Sequence, residues 1–567
     1  MRKILLLPLL LVCGFNVQAS EIAWSKDLGD EINWSRLTFA GTLIAASESQ
    51  LAHFGTSGDL LWLRDDLAKL AQFNVNDVTG TPYLIISERL GNVPPKSRLQ
   101  VLNLASGETL WDTGDFPGSG LGAYPVAEKN LLVYVADMAG AKPGTYVIAY
   151  SLDSGEEHWR SKIGNVGSLP THASDLGGFI PSPDLNGHPL PVVTDDSIIL
   201  SAGNLIALDL SDGTEKWRAK LKSSVPNLKN SYAQPVLDNG ILYAASRNSI
   251  HALDVVTGAE KWKVKIAKAA MPELWLVNDK LVGRLGGTFS NGKDLVQQKP
   301  FGAFVVDAAT GKLQWKWTKA KDSVTNLDIL AERGLVVLAD NKKLYALDLN
   351  AQKKPKVVFV EELEFKRKMG SADVAAKSIG AVGGFLGGGL AGGFKGLGGG
   401  GDRGDPPLDV DVIGNRAVVR AQYHVLAFNL EDQNTDWSIE FAPPGMNSFA
   451  LIAMGAVTAA IAVESAGATR AAGSWQGQQM LDSTLNISES FQNSVAARYA
   501  AAEKAREVAF FLTKEDDGLV LMGIDLGDGT EVGRIPMAEK EPQFMVDAIG
   551  SRVYYFRNKT EMVAYDF

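Results

Sequence analysis

The chain has 567 residues, with 55 Lys+Arg against 65 Asp+Glu, a formal net charge of −10, and one Cys. An acidic balance argues against nucleic acid as a main partner, because phosphate recognition needs a basic face. A single Cys excludes disulfide scaffolds, zinc ribbons and dithiol chemistry, while 46% hydrophobic and 21% charged residues describe a globular chain with a large core.

Residues 1–19 open with Arg2 and Lys3, continue through an apolar run and end Val17-Gln18-Ala19. This is the pattern of a secretory signal peptide, and its apolar stretch is too short for a membrane span. Acylation of Cys13 would need a small residue before it, where the chain has Val12, so a lipid anchor is not expected. Cleavage after Ala19 leaves no Cys.

From residue 20 to 369 the chain repeats. Gly-x-x-x-Trp recurs at Gly58/Trp62, Gly107/Trp111, Gly155/Trp159, Gly213/Trp217, Gly258/Trp262 and Gly311/Trp315, with successive Trp 45 to 58 residues apart. In the fullest copies, LIALDLSDGTEKW (205–217), IHALDVVTGAEKW (250–262) and AFVVDAATGKLQW (303–315), an Asp stands four residues before the Gly: Asp209, Asp254 and Asp307. An apolar strand ends at that Asp, whose carboxylate bonds N–H groups of the turn; Gly supplies positive φ, and a second strand carries Trp onto one face. Four short strands in about 45–50 residues make one propeller blade.

Residues 370–407 break the pattern: 13 of the 22 residues from 380 to 401 are Gly, and Gly380, Gly384, Gly388, Gly392, Gly396 and Gly400 keep a four-residue spacing. The tract reads as a flexible apolar loop. On a helix, its small-residue stripe would be a membrane or self-association contact. A weaker blade follows at 408–442, with HVLAFNL leading to Trp437. Residues 443–512 then read as a helical insertion, with Leu481, Leu485, Phe491, Val495, Tyr499 and Val508 on one face. The last blades occupy 513–567, where LMGIDLGDGTEVG has Gly533 in the Trp place. The chain stops at MVAYDF without a partner strand, and EIAWSKDL (21–28), with Trp24, supplies it. The expected fold is therefore all-β: a propeller of 8 to 10 four-stranded blades closed by the N-terminal strand, carrying a small helical insertion.

These units resemble the quinoprotein-like propeller repeat, Ala-x-Asp-x-x-Thr-Gly-x-x-x-Trp, to which IHALDVVTGAEKW is very close. Within that family the chain is most similar to the propeller subunits of the outer-membrane β-barrel assembly machinery. The resemblance implies either a cofactor-free scaffold or a dehydrogenase that uses pyrroloquinoline quinone (PQQ) and Ca²⁺. The dehydrogenase branch sets a disulfide of adjacent cysteines against the quinone, which the mature chain cannot form.

No other chemistry is signalled. The six His form no His-x-x-x-His pair, and Gly-x-Ser-x-Gly and Walker motifs are absent. The Asp-x-x-Gly-x-Pro turns at 77 and 184 offer too few carboxylates for Ca²⁺. His251 and His424, on strands, read as structural. The expected function is an exported scaffold in the bacterial cell envelope, with no cofactor, metal or catalytic residue. Its partners would be envelope or outer-membrane proteins; nothing in the sequence specifies an oligomeric state. Trp24, Trp62, Trp111, Trp159, Trp217, Trp262, Trp315 and Trp437 are assigned to blade packing. The alternatives are the PQQ dehydrogenase and a membrane-associating or self-assembling protein acting through the two interruptions.

Overall fold

The computed structural model describes residues 20–365, 405–441 and 508–567, less short stretches within them, the longest being 176–189. The signal peptide, the glycine stripe Gly380–Gly400 and residues 443–507 of the expected helical insertion lie outside the described residues.

The described strands form ten successive antiparallel blades, of which the second and third are joined into one sheet by pairing of Phe116 with Ser97, and a two-stranded hairpin at 224–229 lies between the fourth and fifth. Blades 1 to 5 span 32–64, 75–112, 116–164, 192–219 and 236–265. Blades 6 to 9 span 274–317, 328–362, 409–440 and 508–537. Blade 10 joins 543–566 to the first strand, Glu21–Asp27. The ring closes there, with Glu21 opposite Asp566 and Trp24 opposite Ala564, so the N-terminal strand completes the last sheet. Ten stands at the upper end of the expected count. Helical structure among the described residues amounts to three short 3₁₀ turns.

The packing explains the strand sequences. Middle strands are buried on both faces, as in Leu43–Ser47 and Leu335–Ala339, and so read as continuous apolar runs. Ten hydrophobic clusters each join one sheet to the next, and one of them joins blade 10 to blade 1 through Tyr554, Phe556, Leu43 and Phe54.

One part of the sequence reading is corrected. Residues 508–512, assigned to the helical insertion, begin a strand, Val508–Glu515, that pairs with Gly518–Asp525. Val508, Phe510 and Leu512 are buried alternately against the neighbouring blade, a period of two that the 3.6 spacing ending at Val508 obscured.

Candidate interaction surface

Seven of the ten seams among the described residues are locked by one recurring contact. The Trp of one outer strand lies against the turn glycine of the following blade, not against the glycine of its own motif. A Cβ on Gly258 would stand 2.6 Å from the Trp217 ring, and the same holds for Gly311 with Trp262 and Gly529 with Trp437. Gly58 meets Trp24, Gly107 meets Trp62, Gly155 meets Trp111 and Gly213 meets Trp159. The indole N–H then donates to a backbone carbonyl of that turn: Trp24 to Thr56, Trp62 to Leu104, Trp111 to Leu152, Trp159 to Leu210, Trp217 to Val255 and Trp262 to Ala308, at 2.7–3.0 Å.

The turn is built to receive the ring. Gly213, Gly258 and Gly311 have φ of +72°, +68° and +70°, which leaves a flat surface without a Cβ. Asp209 Oδ1 accepts from Ser211 N–H at 2.8 Å, Asp254 Oδ1 from Thr257 N–H at 3.0 Å, and Asp307 Oδ1 from Thr310 N–H at 2.9 Å. The Ser211 hydroxyl, and then its N–H, hold the Asp209 carboxyl down at about 2. The Thr257 N–H lowers Asp254 and the Thr310 hydroxyl lowers Asp307. A bulge follows the residue opposite each Trp, as between Ala252 and Leu253 or between Ala207 and Leu208, and sets the twist of the outer strand.

The seams that follow blades 6, 7 and 9 depart from this pattern, and that of blade 8 keeps the ring contact without the indole hydrogen bond. Trp315 is buried, but blade 7 offers it a turn without Gly, and its indole N–H has no acceptor among the described residues, nor does that of Trp437. In blade 7, Phe359 takes the Trp place opposite Ala346 and stacks on Phe428 at 5.1 Å. In blade 9, Gly533 stands opposite Gly523 and faces the C-terminal Phe567. The fixed spacing of the repeat could not announce these replacements.

The buried polar groups are tied into the same framework. Arg284 and Glu273 in blade 6 form an ion pair at 2.7 Å, and Glu273 Oε2 accepts the Leu327 N–H leading into blade 7 at 2.8 Å. His424 Nδ1 pairs with Asp405 Oδ2 at 2.9 Å under a stacked Phe365 ring, and His251 bonds Ser246 and Glu260. Asp77, from one of the Asp-x-x-Gly-x-Pro turns, is held by Arg36 at 3.3 Å and by the Phe39 N–H. No group of three or more His, Cys, Asp or Glu with metal-site geometry occurs among the described residues, and no described helix is long and apolar enough to cross a membrane.

With the Trp turned inward, the residues on either side of it point outward from a strand that pairs on one side only. In blades 3 to 5 these are His158 and Arg160, Lys216 and Arg218, and Lys261 and Lys263. Charged residues of this kind blunt an open edge. Blades 1 and 7 lack them. Leu61 and Leu63 flank Trp62 and are 44% and 45% exposed, beside Leu60 at 53%; Val358 and Val360 flank Phe359 and are 40% and 48% exposed. These two apolar edges are the candidate site; comparing the residues beside each Trp would have found the first in the sequence, whereas the second is visible only once register puts Phe359 in the Trp place.

Residues 95–354 match the family model described as Outer membrane protein assembly factor BamB. Similar solved structures include BamB from Moraxella catarrhalis, at 13% identity over 71% of this chain and 95% of that one, with a TM-score of 0.35. The C-terminal WD40 domain of Sif2 matches at 10% identity over 71% and 96%, with a TM-score of 0.34. A computationally designed protein, Ika8, matches at 10% identity over 73% and 98%, with a TM-score of 0.33. A search of curated proteins finds no match.

Proposed function

We propose that this chain, a PQQ-repeat β-propeller similar to BamB over residues 95–354, is an exported, cofactor-free interaction scaffold of the bacterial cell envelope that acts in outer-membrane protein assembly. It is not an enzyme in this reading. The observation that carries the proposal is the contrast between the charged outer edges of blades 3 to 5 and the apolar edges of blades 1 and 7. An open strand with Leu61 and Leu63 exposed can add a partner strand through backbone hydrogen bonds, with its leucines meeting alternate apolar side chains. The strands of outer-membrane barrels have that chemistry: apolar on the lipid face and polar on the other, alternating along each strand.

The test uses the purified mature chain and an unfolded outer-membrane barrel protein held in dilute urea. The chain is expected to suppress aggregation of the barrel protein, and Leu61→Lys/Leu63→Lys with Val358→Lys/Val360→Lys is expected to abolish that effect. Equal suppression by the variant would overturn the site. Dye-linked alcohol oxidation after addition of pyrroloquinoline quinone and Ca²⁺ would overturn the scaffold reading.

A further inference from the structure

The outward positions one and three residues after each Trp, or the residue in its place, divide the ring into a cationic sector of four blades and a mostly acidic one of six. In blades 3 and 4 they are Arg160 and Lys162, then Arg218 and Lys220; in blade 5 they are Lys263 and Lys265, and in blade 6 the first is Lys316. Seven of the eight positions on these four neighbouring blades are therefore cationic. The corresponding positions of the other six blades hold five acids (Asp27, Asp65, Asp112, Glu362 and Glu440) and one cation, Arg534. A chain with a net charge of −10 thus gathers seven of the eight cations at these two positions on one sector. Protection of open edges does not by itself account for this, because the six other blades have outer strands too and carry one cation, Arg534, against five acids at the same positions.

The geometry displays these charges. Arg218 donates to the carbonyl of Ile163 at 3.0 Å and Lys316 to that of Ile266 at 2.9 Å, the same contact made from blade 4 to blade 3 and from blade 6 to blade 5. The cations therefore sit at the mouths of the grooves between outer strands. Arg160 and Arg218 are paired with Glu157 and Glu215 at 2.6 Å. Lys220, Lys263 and Lys265 are exposed and have no ion-pair partner among the described residues. The acids of these strands, Glu157, Glu215 and Glu260, all precede the Trp, so positive charge collects at the far end of each strand.

We infer that the rim of blades 3 to 6 is a binding surface for an extended, acidic polypeptide segment. The ten blades of the described residues, evenly spaced around a ring, would stand about 36° apart, so the outer strands of blades 3 and 6 face directions about 108° apart. A planar anionic bilayer meets one or two of these strands, whereas an extended chain can follow the arc. The surface is separate from the apolar edges of blades 1 and 7 and does not depend on their role.

The experiment measures binding of the full mature chain to a fluorescent 20-residue polyglutamate peptide by anisotropy, and to phosphatidylglycerol-containing vesicles by sedimentation. The wild-type chain is expected to bind the peptide with an affinity that falls as salt rises. Lys220→Glu/Lys263→Glu/Lys265→Glu is expected to lose roughly tenfold or more in affinity. Lys26→Glu/Lys96→Glu/Lys129→Glu, which changes net charge equally on blades 10, 2 and 3 but away from these positions, is expected to stay within about twofold. Thermal melts of the variants, all at exposed positions, check that each is folded. Failure of the wild-type chain to bind the peptide, equal losses in both variants, or binding to vesicles without binding to peptide would each overturn the proposal.

Discussion

At the residue scale the fold rests on an aromatic ring laid on a glycine. Gly258 carries two constraints at once, a φ of +68° and a Trp217 ring where its Cβ would stand. Gly258→Ala is therefore expected to cost roughly 2 kcal/mol or more, from backbone strain and overpacking together. Chemical denaturation measures it, and a double-mutant cycle with Trp217 assigns the part due to the ring. The indole N–H separates two kinds of seam. Trp217→Phe removes a hydrogen bond to Val255 and is expected to cost about 1 kcal/mol, whereas Trp315→Phe removes a buried donor without a described acceptor and is expected to cost much less. The turn acids give the pH dependence. Because Asp209 ionises more readily in the folded chain, at about 2, its contribution is complete above the ordinary carboxylate range near 4 and is lost as pH falls toward 2. Asp209→Asn is expected to flatten the fall in melting temperature over that interval. Much of this was written in the repeat: Asp, Gly and Trp at fixed spacing each name a physical requirement. What the spacing concealed is that Gly and Trp of one motif belong to different seams, because the outer strand turns its Trp toward the next blade.

At the element scale, one strand position decides what each blade presents to solvent. The outer strand alternates, so once Trp points inward its two neighbours must point outward. Replacing Leu61 and Leu63 by Lys is therefore expected to leave stability within about 0.5 kcal/mol while removing partner-strand binding. Equilibrium unfolding and the aggregation assay read the two effects separately. The strand Val508–Glu515 shows the limit of pattern reading at this scale. Val508 fits a helical stripe with the residues before it and a strand with Phe510 and Leu512 after it, and only pairing with Gly518–Asp525 decides between them. Phe359 is a similar case. Nothing local marks it as a stand-in for Trp, but its register opposite Ala346 does.

At the scale of the whole molecule, stability depends on closure. Each sheet packs on two neighbours, and the strand Glu21–Asp27 completes blade 10 while Trp24 locks it to Gly58 of blade 1. Deletion of residues 20–28 is expected to expose the edge of Glu561–Asp566 and to open the seam between blades 10 and 1. Hydrogen exchange would then show early loss of protection in 552–566, and light scattering would show concentration-dependent association. Protection as complete as in the intact chain would mean that the other nine seams hold the ring without the first strand.

The sequence by itself determined the unit and the manner of closure, because both follow from local requirements: positive φ at Gly, capping at Asp, an aromatic at a fixed strand position, and a terminal half-blade at each end. It also exposed the composition of the outer strands that carry Trp. Tertiary structure decided the count of ten among the described residues, the pairing of seven Trp with the following blade's glycine, and the adjacency that turns scattered Lys and Arg residues into one basic sector. Those properties depend on which way each strand faces and on how many sheets a full turn accommodates, and neither is encoded within one repeat.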